Sequence, residues 1–114
     1  RKIEENESLK MIKKKSKVIA LGGGTFINPR VRRDIKKNCL SIWLDLIPKE
    51  IFNRVRKNKR RPLLKNAKSF KDVEKIYLSR KKIYSFADYR LNCNFKSTHQ
   101  IVKEIEKIYY DVNN

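Results

Sequence analysis

An α/β fold, a parallel sheet flanked by helices, is predicted for this 114-residue chain by three observations. Short β-prone apolar runs alternate with stretches whose apolar residues recur at helical spacing. The first run, Val18-Ile19-Ala20-Leu21, stops on the triplet Gly22-Gly23-Gly24. Ligands of open parallel sheets bind outside the carboxyl ends of the strands, and glycine lets backbone approach them closely. Helix-start signals stand between successive strand candidates, as the right-handed crossovers of a parallel sheet require.

Each element follows from a local pattern. Residues Ile3 to Lys15 read as the end of a polar surface helix with Ile3, Leu9 and Ile12 facing inward, and Val18 to Leu21 as a buried strand. Asn28 followed by Pro29 is an N-cap with proline at the first helical position, opening a short basic helix through Lys37. Leu40 to Leu44 is the second strand, and Pro48 opens a helix carrying Ile51, Phe52 and Val55. From about 56 to 68 the chain is basic and has no apolar periodicity. With so little apolar surface to hold it down, this segment is expected to be a mobile loop or lid. Ser69 and Asp72 have capping-box spacing, and the helix they open presents Val73, Ile76, Tyr77, Ile83, Tyr84 and Ala87. Tyr89 to Cys93 is a third strand, and Ser97 to Gln100 caps a last amphipathic helix bearing Ile101, Ile105, Ile108 and Tyr109. No repeat or low-complexity linker divides residues 1–114, so one domain is expected.

The net charge of +18 raises a nucleic-acid-binding reading, since Lys13 to Lys15, Lys17 and the run Arg56 to Arg61 would neutralise phosphates. Lysine is the dominant cation, however, and accompanies abundant isoleucine and asparagine, as an AT-rich coding sequence produces at exposed positions. Most of the charge is therefore expected on a solvated surface, with no nucleic-acid partner. No apolar run approaches the ~18 to 20 residues of a membrane span, and no signal peptide is evident. The expectation is a soluble, cytoplasmic protein. Cys39 and Cys93 are isolated and His99 is the only histidine, so no metal site is assigned and both thiols are taken as packing residues. The chain opens on Arg1 inside a charged, helix-patterned stretch, which suggests a true start farther upstream.

Two arginines carry chemical interest. Arg80 lies four residues after Ile76, three after Tyr77 and four before Tyr84, which puts a guanidinium on the apolar face of its helix. It is held by an internal ion pair, snorkels its charged head out to solvent, or is pre-placed as a fork for a carboxylate or phosphate. Arg61, in Arg61-Pro62-Leu63-Leu64, stands against a stiffened turn inside the lid, where an arginine arriving with closure would stabilise charge in phosphoryl transfer. The glycine triplet is neither a Walker A loop nor G-x-G-x-x-G, and no G-x-x-x-x-G-K-[ST] occurs in the chain.

Taken in order, Val18 to Gly24, Trp43-Leu44-Asp45, Arg61 to Leu64, and Arg80 to Tyr84 followed by Ala87-Asp88 resemble the shikimate kinase family over essentially the whole chain. Arg1-Lys2-Ile3-Glu4 is similar to the family's upstream R-x-x-E, without the phenylalanine that normally precedes it. The resemblance implies a P-loop kinase fold and transfer of the γ-phosphoryl group of ATP, with Mg²⁺, to the 3-hydroxyl of shikimate in aromatic amino acid biosynthesis. A related P-loop kinase for another hydroxy acid, such as gluconate, is the alternative enzyme.

Carried over by motif, Arg1 and Arg80 would take the substrate carboxylate, Gly22, Gly23 and Gly24 would hold the substrate, and Glu4 would orient Arg1 or reach a hydroxyl. Arg61 would act catalytically on the transferring phosphate and also contact ATP, with Arg54 and Lys96 near the adenine. The P-loop strand and helix, with their lysine and magnesium-binding hydroxyl, precede the R-x-x-E in this family and are not in the chain, which resembles roughly the last two-thirds of the enzyme. The sequence therefore predicts that residues 1–114 by themselves neither fold stably nor turn over ATP, while the complete enzyme is a monomer.

Overall fold

A computed structural model describes residues 5, 6, 9, 18–57 and 69–113. Among them are a 3-10 turn at Thr25–Ile27, helices α1 (Pro29–Asn38), α2 (Pro48–Lys57), α3 (Phe70–Tyr84) and α4 (Thr98–Asn113), and strands β1 (Ile42–Asp45) and β2 (Tyr89–Asn92). The strands pair in parallel with Ile42 opposite Tyr89 and Asp45 opposite Asn92. The predicted alternation of strand and helix thus yields a parallel sheet joined by a helical crossover.

Side chains fasten both ends of this two-stranded ladder. At its start the amide and hydroxyl of Ser41 donate to Asp88 Oδ2 at 3.0 and 3.2 Å, and the Asp88 amide donates back to Ser41 Oγ at 2.9 Å. At its far end the Cys93 amide donates to the Asp45 carbonyl at 2.9 Å and the Ile47 amide to Asn94 Oδ1 at 2.8 Å. Two short strands make few ladder bonds, so these reciprocal links hold the register.

The helix signals act as predicted at three N-termini. Asn28 Oδ1 accepts from the amides of Arg30 and Val31, Ser69 Oγ accepts from the Asp72 amide, and Ser97 and Gln100 form a reciprocal capping box. Val31 and Ile35, one turn apart on α1, are buried with Leu9, and Ile19, Leu21, Phe26 and Cys39 pack around them. Between α2 and α3, Phe52 meets Phe70 edge-on with ring centroids 6.1 Å apart.

Several boundaries differ from the sequence prediction. Val18 to Leu21 is not a strand: Val18 is 100% exposed, and only Ile19 and Leu21 touch the core. A strand exists only against a hydrogen-bonding neighbour, and among the described residues β1 and β2 pair only with each other. The second strand starts at Ile42 rather than Leu40 and the third ends at Asn92 rather than Cys93. Helix α3 ends at Tyr84, short of Ala87, because the amides of Phe86 and Ala87 turn back to Ile83 and Tyr84 so that the chain can enter β2. Tyr109 is 60% exposed instead of facing inward, and Arg56 and Lys57 belong to α2, not to the lid. Lid residues 58–68, and residues 1–4 with Arg1 and Glu4, lie outside the described residues.

The two thiols share a chemistry but differ in access. Cys93 is buried and Cys39 half-buried. Burial pushes both thiols above their ordinary pKa, and for Cys93 the charges of Lys96 and Arg54 work in the opposite direction. Both therefore stay protonated near neutrality. Maleimide labelling of the native protein at pH 7 is expected to modify Cys39 at least about tenfold faster than Cys93, read by peptide mass; equal rates would refute the burial of Cys93.

Candidate active site

The glycine triplet is built into a turn fixed from three sides. The Thr25 amide donates to the Gly22 carbonyl at 3.0 Å and the Ile27 amide to the Gly24 carbonyl at 3.2 Å, winding the 3-10 turn directly after the glycines. From α1, Arg32 donates to the carbonyls of Phe26 and Ile27, both at 3.1 Å, with its guanidinium 5.4 Å from the Phe86 ring centre. From α3, the Tyr84 hydroxyl donates to the Gly23 carbonyl, and its ring leans against Phe26 and Trp43 at 6.2 and 6.1 Å. No glycine of the turn has a positive φ, so unusual backbone is not the reason for these residues. Gly24 offers another: a Cβ there would meet nothing within 4 Å, leaving its surface open to a ligand.

One turn before Tyr84 on the same helix stands Arg80, half-buried. No carboxylate among the described residues pairs with it. Of the sequence readings, the internal ion pair therefore fails among the described residues, while a snorkelling side chain and an anion-binding fork both fit a half-buried guanidinium. Such a group is suited to a carboxylate or phosphate arriving from solution.

Helix α3 carries Arg80 and, one turn on, the Tyr84 that bonds the glycine turn. Lys96 follows the carboxyl end of β2, and its charge and that of Arg54 on α2 both act to lower the Cys93 pKa. Arg54 is exposed and carries no ion pair among the described residues, whereas Lys96 Nζ is held by Glu104 at 2.9 Å. Arg61, Arg1 and Glu4 lie outside the described residues.

Sequence reasoning missed the most buried charge at this end. Asp45 closes β1 at 2% exposure, its Oδ1 accepting from the Tyr77 hydroxyl at 3.0 Å and its Oδ2 from Arg90 Nε at 2.6 Å, with Arg90 Nη2 in ion-pair contact at 2.6 Å. Arg90 lies opposite Trp43 in the ladder, with its guanidinium 5.7 Å from that ring. The signal was an aspartate ending an apolar strand, but nothing local shows that an arginine 45 residues later will meet it. Tyr77, read as packing, uses its hydroxyl. Burial, and then the hydrogen bond and charge of Asp45, raise the Tyr77 pKa, against a smaller opposing effect of Arg90. The phenol thus stays a donor throughout the neutral range.

Among the described residues no group of three histidine, cysteine or carboxylate side chains could hold a metal ion.

Comparison with known proteins gives a consistent result. The family model "Shikimate kinase" matches residues 1–109. The chain is similar to the shikimate kinase of Bartonella quintana (strain Toulouse), at 32% identity over 99% of the chain and 56% of the relative. It is also similar to that of Persephonella marina, at 36% identity over 92% of the chain and 63% of the relative. The shikimate kinase of Caldanaerobacter subterraneus is 32% identical over 96% of the chain and 64% of its own length. The chain thus spans about three-fifths of the length of these relatives. No solved structure gives a significant match.

Proposed function

The chain belongs to the shikimate kinase family, and from that premise we propose that it forms the acid-binding side of an ATP-dependent kinase acting on shikimate. The observation that carries this reading is Arg80, half-buried, without a carboxylate partner among the described residues, and one turn from the tyrosine that ties its helix to the glycine turn. A buried-side arginine needs an anion, and the carboxylate of a ring alcohol supplies one.

In this reading Arg80, with Arg1, takes the substrate carboxylate as a bidentate fork, and the backbone of Gly22 to Gly24 lies along the ring. Glu4 orients Arg1. The substrate hydroxyl oxygen attacks the γ-phosphorus, the bond from that phosphorus to the β,γ-bridging oxygen breaks, ADP leaves, and the hydroxyl proton passes to solvent. Arg61 offsets charge on the transferring group when the lid after α2 closes. Arg54 and Lys96 flank the nucleotide, Lys96 after giving up Glu104. Mg²⁺ would supply neutralisation of phosphate charge, held by ligands that the family carries before the R-x-x-E. A monomeric, cytoplasmic enzyme with no nucleic-acid partner completes the reading; no described helix is long and apolar enough to cross a membrane.

The test uses the complete gene product, including whatever precedes Arg1. Incubation with ATP, Mg²⁺ and shikimate is expected to release ADP and give a phosphate monoester on the 3-hydroxyl by ³¹P NMR. Phosphorylation of gluconate in preference to shikimate would reassign the substrate. Inactivity toward both, with salt-sensitive DNA binding, would replace the kinase reading.

A further inference from the structure

Helix α3 is tied to the rest of the site at two points, and Arg80 lies between them. Tyr84 donates to the Gly23 carbonyl, and Tyr77 donates to Asp45 Oδ1 at 3.0 Å. Arg80 comes three residues after Tyr77 and four before Tyr84. At about 100° per residue the three side chains share one face of the helix. A helix held at both ends of a two-turn stretch can neither roll nor slide there without breaking a bond, so the direction of the intervening guanidinium is set.

We infer that Tyr77 and Asp45 form a positioning pair for Arg80, holding α3 in the rotation at which Arg80 meets the substrate carboxylate. The chemistry of the pair fits this use. Asp45 is 2% exposed, and a lone buried carboxylate would be costly; Arg90 offsets that cost by closing on Oδ2. Oδ1 is thereby left as a strong, fixed acceptor at the end of β1, and the Tyr77 phenol is its donor. Arg90 keeps its side chain 56% exposed and stacks near Trp43, so it neutralises the pair without crowding the helix. Neither tyrosine nor aspartate touches substrate in this arrangement; each acts through Arg80.

The inference rests on the proposed shikimate kinase reading, and its test separates the two. In the complete gene product, Tyr77→Phe is expected to raise the shikimate KM about fivefold, the effect of losing one orienting hydrogen bond, with kcat and the ATP KM within about twofold. Added to Arg80→Ala, it should raise the shikimate KM no further, because its effect passes through the missing guanidinium. An unchanged KM in Tyr77→Phe, equal increases for both substrates, or an additive double variant would each overturn the positioning role. A protein that does not phosphorylate shikimate at all would refute the functional reading alone. The tether is then read without substrate from the Arg80 Nε–Hε NMR resonance, which Tyr77→Phe should shift and which, if unmoved, disproves it.

Discussion

Arg80→Ala is expected to lower kcat/KM for shikimate by about two to three orders of magnitude in the complete gene product, mostly through KM. Two charge-assisted hydrogen bonds in a partly desolvated site are worth about 3 to 4 kcal/mol, and each 1.36 kcal/mol is tenfold. The ATP KM should stay near its parent value, since Arg80 is assigned to the acid and Arg54 and Lys96 to the nucleotide. Arg80→Lys keeps the charge but loses the fork, and about a tenfold loss is expected. Steady-state kinetics with each substrate varied in turn provide the check. An alanine variant as active as its parent would remove Arg80 from the site.

Arg61→Ala is expected to act on the other half of the reaction, reducing kcat about a thousandfold while leaving the shikimate KM within about threefold. An arginine that meets the transferring phosphoryl group contributes mainly in the transition state, at about 10³ or more in rate. An interaction made only there lowers kcat rather than raising KM. Single-turnover measurement of phosphoryl transfer distinguishes this from slowed lid opening, which would leave the single-turnover rate intact. The two variants together divide the proposed site into a part that recognises the acid and a part that stabilises moving charge.

Much of the fold was legible because its signals are local. Asn28 before Pro29, Ser69 before Asp72, and Ser97 before Gln100 each satisfy orphan amides within three residues, so the cap is written where it acts. Arg80 was legible for a similar reason, since helical spacing alone places it among Ile76, Tyr77 and Tyr84. The strand at Val18 to Leu21 was not. Apolar, β-branched residues favour extended backbone, but strand formation needs a neighbouring edge, and none pairs with this stretch among the described residues. Tyr109 failed for the same class of reason: its spacing marks a helix face, while its 60% exposure reflects what packs on that face among the described residues.

The sequence by itself determined the alternation of helix and strand, the capped helix starts, the glycine turn and the arginine on an apolar helix face, because each depends on residues within a turn or two of one another. Only the tertiary structure decided that Asp45 would be buried between Tyr77 and Arg90 and that Tyr84 would close on Gly23. Those contacts join residues separated by tens of positions, and their energies come from desolvation and geometry created by packing.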